Sequence, residues 1–522
     1  MEILKKKIRM MFEKCSVVTQ VTLDEDSNVP DSQPDVERII QKSAVVKVED
    51  IRTSTDRVSI TGALQVKVLY LADTTEHQLQ RLNMTLPFAE TQMLEGCSGE
   101  EGVHVQWDIE DVTVKLINSR KLSVRALLVF TSALKEAREA TAAVEVLGVP
   151  ELSVQQRTLE LLQPVTQKRD VLRVKEELSV PSNKPDIADI LWGNLELRGT
   201  DIRIKEGAFD VRGELFVFVL YEGEDEGKSR QWMETALPFQ MRVECELCSA
   251  EQIAQIGVKL AESSVEVGAD EDGERRRIML EAVLNLDIKL YQEEQVSIVE
   301  DVYTPVRELV PVREEQTCES LLMKNTSRIR STERIRLDSR QPRILQICSS
   351  QGAVRIDDTK MTEKGIRVEG AVLVNTLYVT ADDLIPYAVM EGAVPFSQII
   401  EAEGITENCR YDIHTELEQL SVNMTDSEEI EVKSSVSLSA FVVRVRREAC
   451  IVEIEEREQD LKKLQEIPGI VGYVVQPEDT LWKIARTYYT TPDRICSLNQ
   501  IKETDLQPGM GLILLKTVNG GD

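Results

Sequence analysis

Aromatic side chains make up 4% of this 522-residue chain, and histidine occurs only three times, at His77, His104 and His414. No histidine recurs at a matching place elsewhere in the chain, so none is marked as a catalytic acid or base. The motifs that carry nucleophile, phosphate or zinc chemistry are also missing: there is no G-x-S-x-G, no GxxxxGK[ST] and no H-E-x-x-H. Carboxylates are plentiful, but no pair is singled out by its spacing. The expectation is a chain without catalytic residues, metal or cofactor, and not an enzyme.

Positive charge is in deficit. Lys and Arg number 62 against 91 Asp and Glu, a net charge of −29. Such a surface repels phosphate backbones and excludes nucleic acid as a partner, while it favours solubility. From Ile470 onward there are five bases and six acids, so the excess acid lies before that point. No run of about 18 apolar residues occurs, which excludes a membrane-spanning helix. The basic start, Met1 to Cys15, lacks an apolar h-region and a small-residue cleavage site; it reads as a short amphipathic helix or frayed lead rather than a secretory signal. Nine cysteines form no dense framework, so reduced thiols in a cytoplasm are expected. Cys245-Glu-Leu-Cys248 has redox or metal spacing, but no second CxxC or nearby histidine completes a zinc site. Cys248 follows Pro238 by ten residues, as Cys97 follows Pro87, which marks a position in a repeated core.

What the chain does contain is a long repeat. Its centre is Ala208–Tyr221, matched by a stretch ending at Tyr70 and another at Gly365–Tyr378. A glycine stands eight residues before each tyrosine: Gly62, Gly213 and Gly370 before Tyr70, Tyr221 and Tyr378. Each tyrosine is followed by a Pro-Phe triplet, Leu86-Pro87-Phe88, Leu237-Pro238-Phe239 and Val394-Pro395-Phe396. Each copy is preceded by a proline phrase at Pro34, Pro185 or Pro342. Glycines, tyrosines and prolines all recur at intervals of 151 and 157 residues. A period of that size is a domain, not a solenoid turn.

Within each copy, β-branched runs with period-2 alternation predict strands, and the glycine inside the central one predicts a bulge or a close backbone approach. The prolines, followed by Asp35 and Asp186, suit a short helix or turn; the third copy departs, with Arg343 in that place, so the aspartate's role is weakened there. Helices are also expected at Leu152–Leu162 and Ser249–Ile256, with connectors near 148–165, 303–325 and 455–470. The fold class is mainly β: three tandem β-sandwich-like repeats at 1–150, 160–308 and 318–458, then a small βααβ domain at 470–517.

In that last segment a strand turns at Pro477. Asp479 is placed to cap a helix bearing Leu481, Trp482, Ile484 and Ala485, with Trp482 read as core. Thr491-Pro492 opens a second helix, and Pro508-Gly509 turns into the strand Leu512–Leu514. The residues Tyr473–Ala485, Leu498-Asn499, Ile501, Leu506 and Pro508-Gly509 resemble a LysM domain. The resemblance implies a shallow groove between two loops that takes N-acetylglucosamine-containing glycans. In this chain Pro477, Glu478, Asp479, Thr480 and Leu481 would line one side, and Asn499, Gln500 and Ile501 the other. LysM domains more often have glycine where Glu478 stands.

The repeats, with their proline-aspartate turn, glycine-to-tyrosine strand and Pro-Phe triplet, resemble SPOCS domains, known from spore-coat-associated proteins of endospore-forming Firmicutes. Three such domains and one LysM domain resemble the layout of clostridial spore coat morphogenetic proteins. That resemblance implies a mother-cell cytoplasmic protein at the forespore surface, joining the coat through protein contacts, with the LysM domain docking the basement-layer coat ATPase. Two other readings stand beside it: a cell-wall-associated protein whose LysM domain holds peptidoglycan, and a wall hydrolase with unrecognised catalytic repeats.

Overall fold

A computed structural model describes the chain apart from residues 75–77, 99–101, 228, 460 and 518–522 and the side chains at 461 and 463. His77 therefore lies outside the described residues. Each repeat is six antiparallel strands in two three-stranded sheets. The first repeat comprises β1 (Glu2–Asn28), β2 (Val36–Ser54), β3 (Arg57–Ala72), β4 (Leu79–Met93), β5 (Val103–Asn118) and β6 (Lys121–Leu147). One sheet runs β2-β3-β4 and the other β1-β6-β5. The second repeat, β7 (Ser153–Ser179) to β12 (Arg277–Tyr303), and the third, β13 (Glu308–Arg336) to β18 (Glu429–Arg457), use the same order. The two sheets face each other across apolar cores such as Leu64, Val66, Tyr70, Leu128 and Phe130.

The recurring anchors occupy one constellation. The central strands of the three copies are β3, β9 (Ala208–Gly223) and β15 (Gly365–Thr380). Their glycines pair directly with the phenylalanines of the Pro-Phe triplets: Gly62 with Phe88, Gly213 with Phe239, Gly370 with Phe396. On the other side of each glycine the neighbouring strand slips register, between Val48 and Asp50, Arg198 and Asp201, and Ile356 and Asp358. None of the three has a positive φ; what requires glycine is the close approach. A Cβ on Gly62 would stand 2.2 Å from the Lys47 carbonyl oxygen, and on Gly370 2.3 Å from that of Arg355. On Gly213 it would meet side chains alone, the Phe239 ring at 3.0 Å and Thr200 Cγ2 at 3.5 Å. The tyrosines are buried, and their hydroxyls donate to the carbonyls of Pro34, Pro185 and Pro342 at 3.2, 3.3 and 3.0 Å.

The proline phrase is a turn and not a helix, and the next residue but one already starts a strand. Asp35 accepts from Ser119 Oγ (2.7 Å) and pairs with Arg120, whose guanidinium also donates to the carbonyls of Val29, Pro30 and Gln33. Asp186 and Arg276 repeat this arrangement. In the third copy the charges are exchanged: Arg343 pairs with Glu428 at 3.0 Å. The departure at Arg343 is thus a reversal of the ion pair, and what disappears is the arginine fork onto backbone carbonyls.

Two expected helices are strands and a third is part turn, part strand. Residues 1–15 belong to β1 and Leu152–Leu162 to β7, while Ser249–Ile256 is a turn entering β11 (Ile253–Gly268). β1 and β6 stay paired for 27 and 27 residues, well past the sandwich, and β7/β12 and β13/β18 do the same. The connectors expected near 148–165 and 303–325 are therefore mostly ribbon, while 455–470 holds the end of the last ribbon strand and a short helix. Three ribbons lie together around Ile8, Ala142, Leu159, Ile298, Cys318 and Cys450, and further on around Val146, Val302, Leu309 and Ile454. The three heads close on another shared cluster, including Ile40, Leu69, Leu191, Phe218, Cys348 and Leu377. The result has approximate three-fold symmetry within one chain.

All nine cysteines are free. Burial and the neighbouring Cys245 push the Cys248 thiol up to about 12, which keeps that thiol protonated and inert as core. His104 lies at the seam between repeats one and two, where burial, Lys135 and Arg169 push its pKa down to about 4, opposed by Asp287. His414, at the seam with repeat three, is lowered by burial against the pull of Glu416.

Two outcomes follow. Alanine at Gly62 or Gly370 meets backbone that cannot yield and should cost about 2–3 kcal/mol, against about 1 kcal/mol at Gly213, where a ring can shift; denaturant melts of the three variants give the order. The folded chain keeps His104 and His414 neutral while the unfolded chain protonates them near pH 6.5. Stability should therefore be intact above about 6.5 and fall as the pH drops toward about 4. Melting across that window, with His104→Asn flattening the slope, is the check.

Candidate functional site

After the third ribbon the chain forms a short helix, α1 (Leu461–Glu466), and then a separate module. Its strands β19 (Ile470–Val474) and β20 (Gly511–Leu515) are antiparallel, with Ile470 opposite Leu515. Between them lie α2 (Leu481–Thr487) and α3 (Pro492–Asn499). Val475, Leu481, Ile484, Ala485, Ile495, Leu512 and Leu514 make a core of its own. The βααβ order agrees with the sequence.

The first loop, 476–480, is tied down from within. Asp479 accepts from the Gln476 amide (2.8 Å) and from the Tyr473 hydroxyl (2.5 Å). The hydroxyl holds the carboxyl below the usual carboxylate range, and the carboxylate pushes Tyr473 up to about 12. The cap of α2 is Thr480, not Asp479: its Oγ1 accepts from the Lys483 amide at 3.2 Å. Glu478 has φ +70°, which is why glycine suits this place better. In the second loop Asn499 uses both ends of its amide, donating to Ile495 and Ile513 carbonyls and accepting from the Ile513 amide at 2.7 Å. Gln500, at φ +54°, ends α3.

The eight expected groove residues therefore divide. Leu481 is buried in the module core. Asp479, Thr480 and Asn499 hold the loops in shape, and Ile501 packs half-buried on the core. Pro477, Glu478 and Gln500 are exposed at the rim. The side chains free to meet a partner are these three.

Trp482 is outside the module core, contrary to its reading as core. Its indole Nε1 donates to Asp301 Oδ2 at 3.1 Å, and its ring stands edge-on to Tyr303, centroids 6.5 Å apart. Arg486, one turn along α2, donates to the same carboxylate oxygen at 2.9 Å, and Arg494 on α3 pairs with Glu151. Asp301 and Tyr303 end β12, and Arg313 of the third ribbon lies 3.6 Å from Asp301. The module thus docks on the second repeat although it follows the third. A helix face carrying Trp482 and Arg486 was visible in the sequence as an i, i+4 pair; its partner, 181 residues away, was not.

A surface concavity of about 520 Å3 on the outer face of β1, β5 and β6 is lined by Thr22, Asp24, Thr113, Lys115 and Arg125, the solvent side of a strand ladder. Among the described residues no cluster of His, Cys, Asp and Glu could hold a metal ion, and no helix is long and apolar enough to cross a membrane.

Trp482→Ala should leave the module folded, because its core is untouched, and should release it from the repeats, as should Asp301→Ala. The measurements are module amide chemical shifts, expected unchanged, and the module's rotational correlation time, expected to shorten. Loss of the module's fold in Trp482→Ala would contradict this placement.

The SipL SPOCS-domain model matches residues 35–117, 186–268 and 343–425, and the LysM-domain model matches 473–514. Each SPOCS match spans the second to fifth strands of a repeat, so the first and sixth strands, which form the ribbons, lie outside it. No curated protein and no solved structure matches the chain. Both domain families are non-catalytic, and their combination marks a sporulation-associated envelope protein. The chain thus carries three SipL-type SPOCS domains followed by one C-terminal LysM domain.

Proposed function

We propose that the chain is a non-enzymatic assembly protein of the spore envelope. In this reading it acts in the mother-cell cytoplasm, linking the coat to the forespore surface through protein contacts, with its LysM domain docking the basement-layer coat ATPase. The observation that carries the reading is the orientation of the module. Trp482, Arg486 and Arg494 are spent on the repeats, and the rim at Pro477, Glu478 and Gln500 is left outward. A partner bound at that rim is held at a set position relative to three β-rich bodies, which is what a linker between two layers needs. Glu478 also puts a charge where a neutral sugar offers no counterpart, whereas a polypeptide surface can supply one.

The rim is small, so its energy should sit in few residues. In the full chain, Glu478→Ala and Gln500→Ala should each weaken ATPase binding by about 2 kcal/mol while leaving the melting temperature unchanged. Titration of both variants against the purified ATPase and against peptidoglycan fragments separates the readings. Normal ATPase binding together with collapsed glycan binding would assign the rim to peptidoglycan instead.

A further inference from the structure

The place where the three heads close carries a feature that neither domain family explains. Gln41, Trp192 and Ser349 occupy one position in the three repeats, separated by the shared intervals of 151 and 157 residues. Each follows a bulge: the register slips between Ile39 and Gln41, Ile190 and Trp192, and Ile347 and Ser349. The skipped residues, Ile40, Leu191 and Cys348, all join the shared apolar cluster. A bulge re-aims the side chains around it, and here it brings three unlike ones to the axis. Gln41 is 3% exposed, Trp192 5% and Ser349 3%.

These residues are buried without being satisfied. Gln41 Oε1, Trp192 Nε1 and Ser349 Oγ have no hydrogen-bond partner among the described residues, and neither has Asn375 Oδ1. All four line one crevice, too narrow to seat a water molecule, beside Phe218 and Leu377. Buried polar groups left unpaired lower stability, so stability alone would favour aliphatic side chains here.

We propose that this position is a heterotypic key, which lets repeats one, two and three close on one another and rejects closure of like repeats from different chains. The repeats share one fold, so the apolar surface of any of them could in principle close with copies of itself. The key makes those alternatives poor. Three copies of repeat two would bring three indoles and three Phe218 rings to one axis, where the crevice holds one of each. Three copies of repeat three would leave a hole lined by serines and asparagines. The mixed set fills the crevice with one indole and one Phe218 ring beside the smaller Gln41, Ser349, Gln351 and Asn375. A buried polar residue that fixes partner choice at a cost in stability is known physics in coiled coils.

The test refolds the full chain from denaturant over a range of protein concentrations and measures mass by light scattering. The native chain should return as monomer. The variant Q41L/W192L/S349L, with one side chain at all three places, should give intermolecular assemblies, the associated fraction rising at least about tenfold at the highest concentration. Q41L/S349V keeps the bulk of Trp192 and serves if the triple variant does not fold; it should shift in the same direction. Variants that fold and stay as monomeric as the native chain at every concentration overturn the proposal.

Discussion

A two-stranded antiparallel ribbon cannot stand in water by itself, because it has one apolar side and nothing to place against it. Every repeat of this chain ends in such a ribbon. Past the sandwich, the first pairs residues 2–13 of β1 with residues 135–147 of β6, roughly 40 Å if straight. The structure depends on how that side is covered. Ile8 and Ala142 of the first ribbon meet Leu159, Leu161, Val296 and Ile298 of the second and Cys318 and Cys450 of the third. One ribbon alone would expose its stripe, and two would leave an open flank. Three close, and the chain has three repeats. The heads obey the same rule at Ile40, Leu191 and Cys348. The repeats are therefore not beads on a string: Gln316 of the third donates to the Thr141 carbonyl of the first, and Arg157 of the second pairs with Glu448 of the third.

This explains which parts of the fold could be read from the chain. Gly62, Phe88, Tyr70 and Pro34 were legible because their contacts lie within one repeat and recur three times. The glycine needs its carbonyl neighbour close, the phenylalanine covers it, and the tyrosine ties the strand to the turn. The ribbons were misread because their surroundings lie in other repeats. Residues 1–15 and 152–162 mix apolar and charged residues at spacings that suit a helix face, and nothing local says that two further ribbons lie alongside. A 27-residue strand is also far outside the usual 3–10. Tertiary burial overrode the local pattern.

The C-terminal site divides along the same line. The helix caps, turn and core follow from local chemistry, with Thr480 in place of Asp479 because the Tyr473 hydroxyl and the Gln476 amide engage the aspartate first. Trp482 was read as core, and nothing local in the sequence marks its docking partner. A tryptophan carries one polar atom and a large apolar ring, which suits a surface that needs both. Asp301 and Tyr303 supply the acceptor and the ring edge, and they sit at the end of a ribbon whose course could not be read.

The charge reversal at Arg343 shows how the copies diverge under these constraints. In repeats one and two the arginine lies on the later hairpin, and it both neutralises an aspartate and gathers backbone carbonyls. In repeat three the acid is on that hairpin, as Glu428, and the base is on the proline turn. A carboxylate cannot donate to carbonyls, so the exchanged pair keeps the attraction and gives up the fork. Both partners are there largely exposed, 69% and 60%, where an ion pair contributes little. The end of repeat three is thus the least firmly closed of the three. The LysM domain follows that repeat in sequence, yet its anchors are Asp301 and Glu151, on the second repeat and the crossover before it. Covalent order placed the module after the third ribbon; the location of a half-buried carboxylate and an aromatic edge decided where it rests.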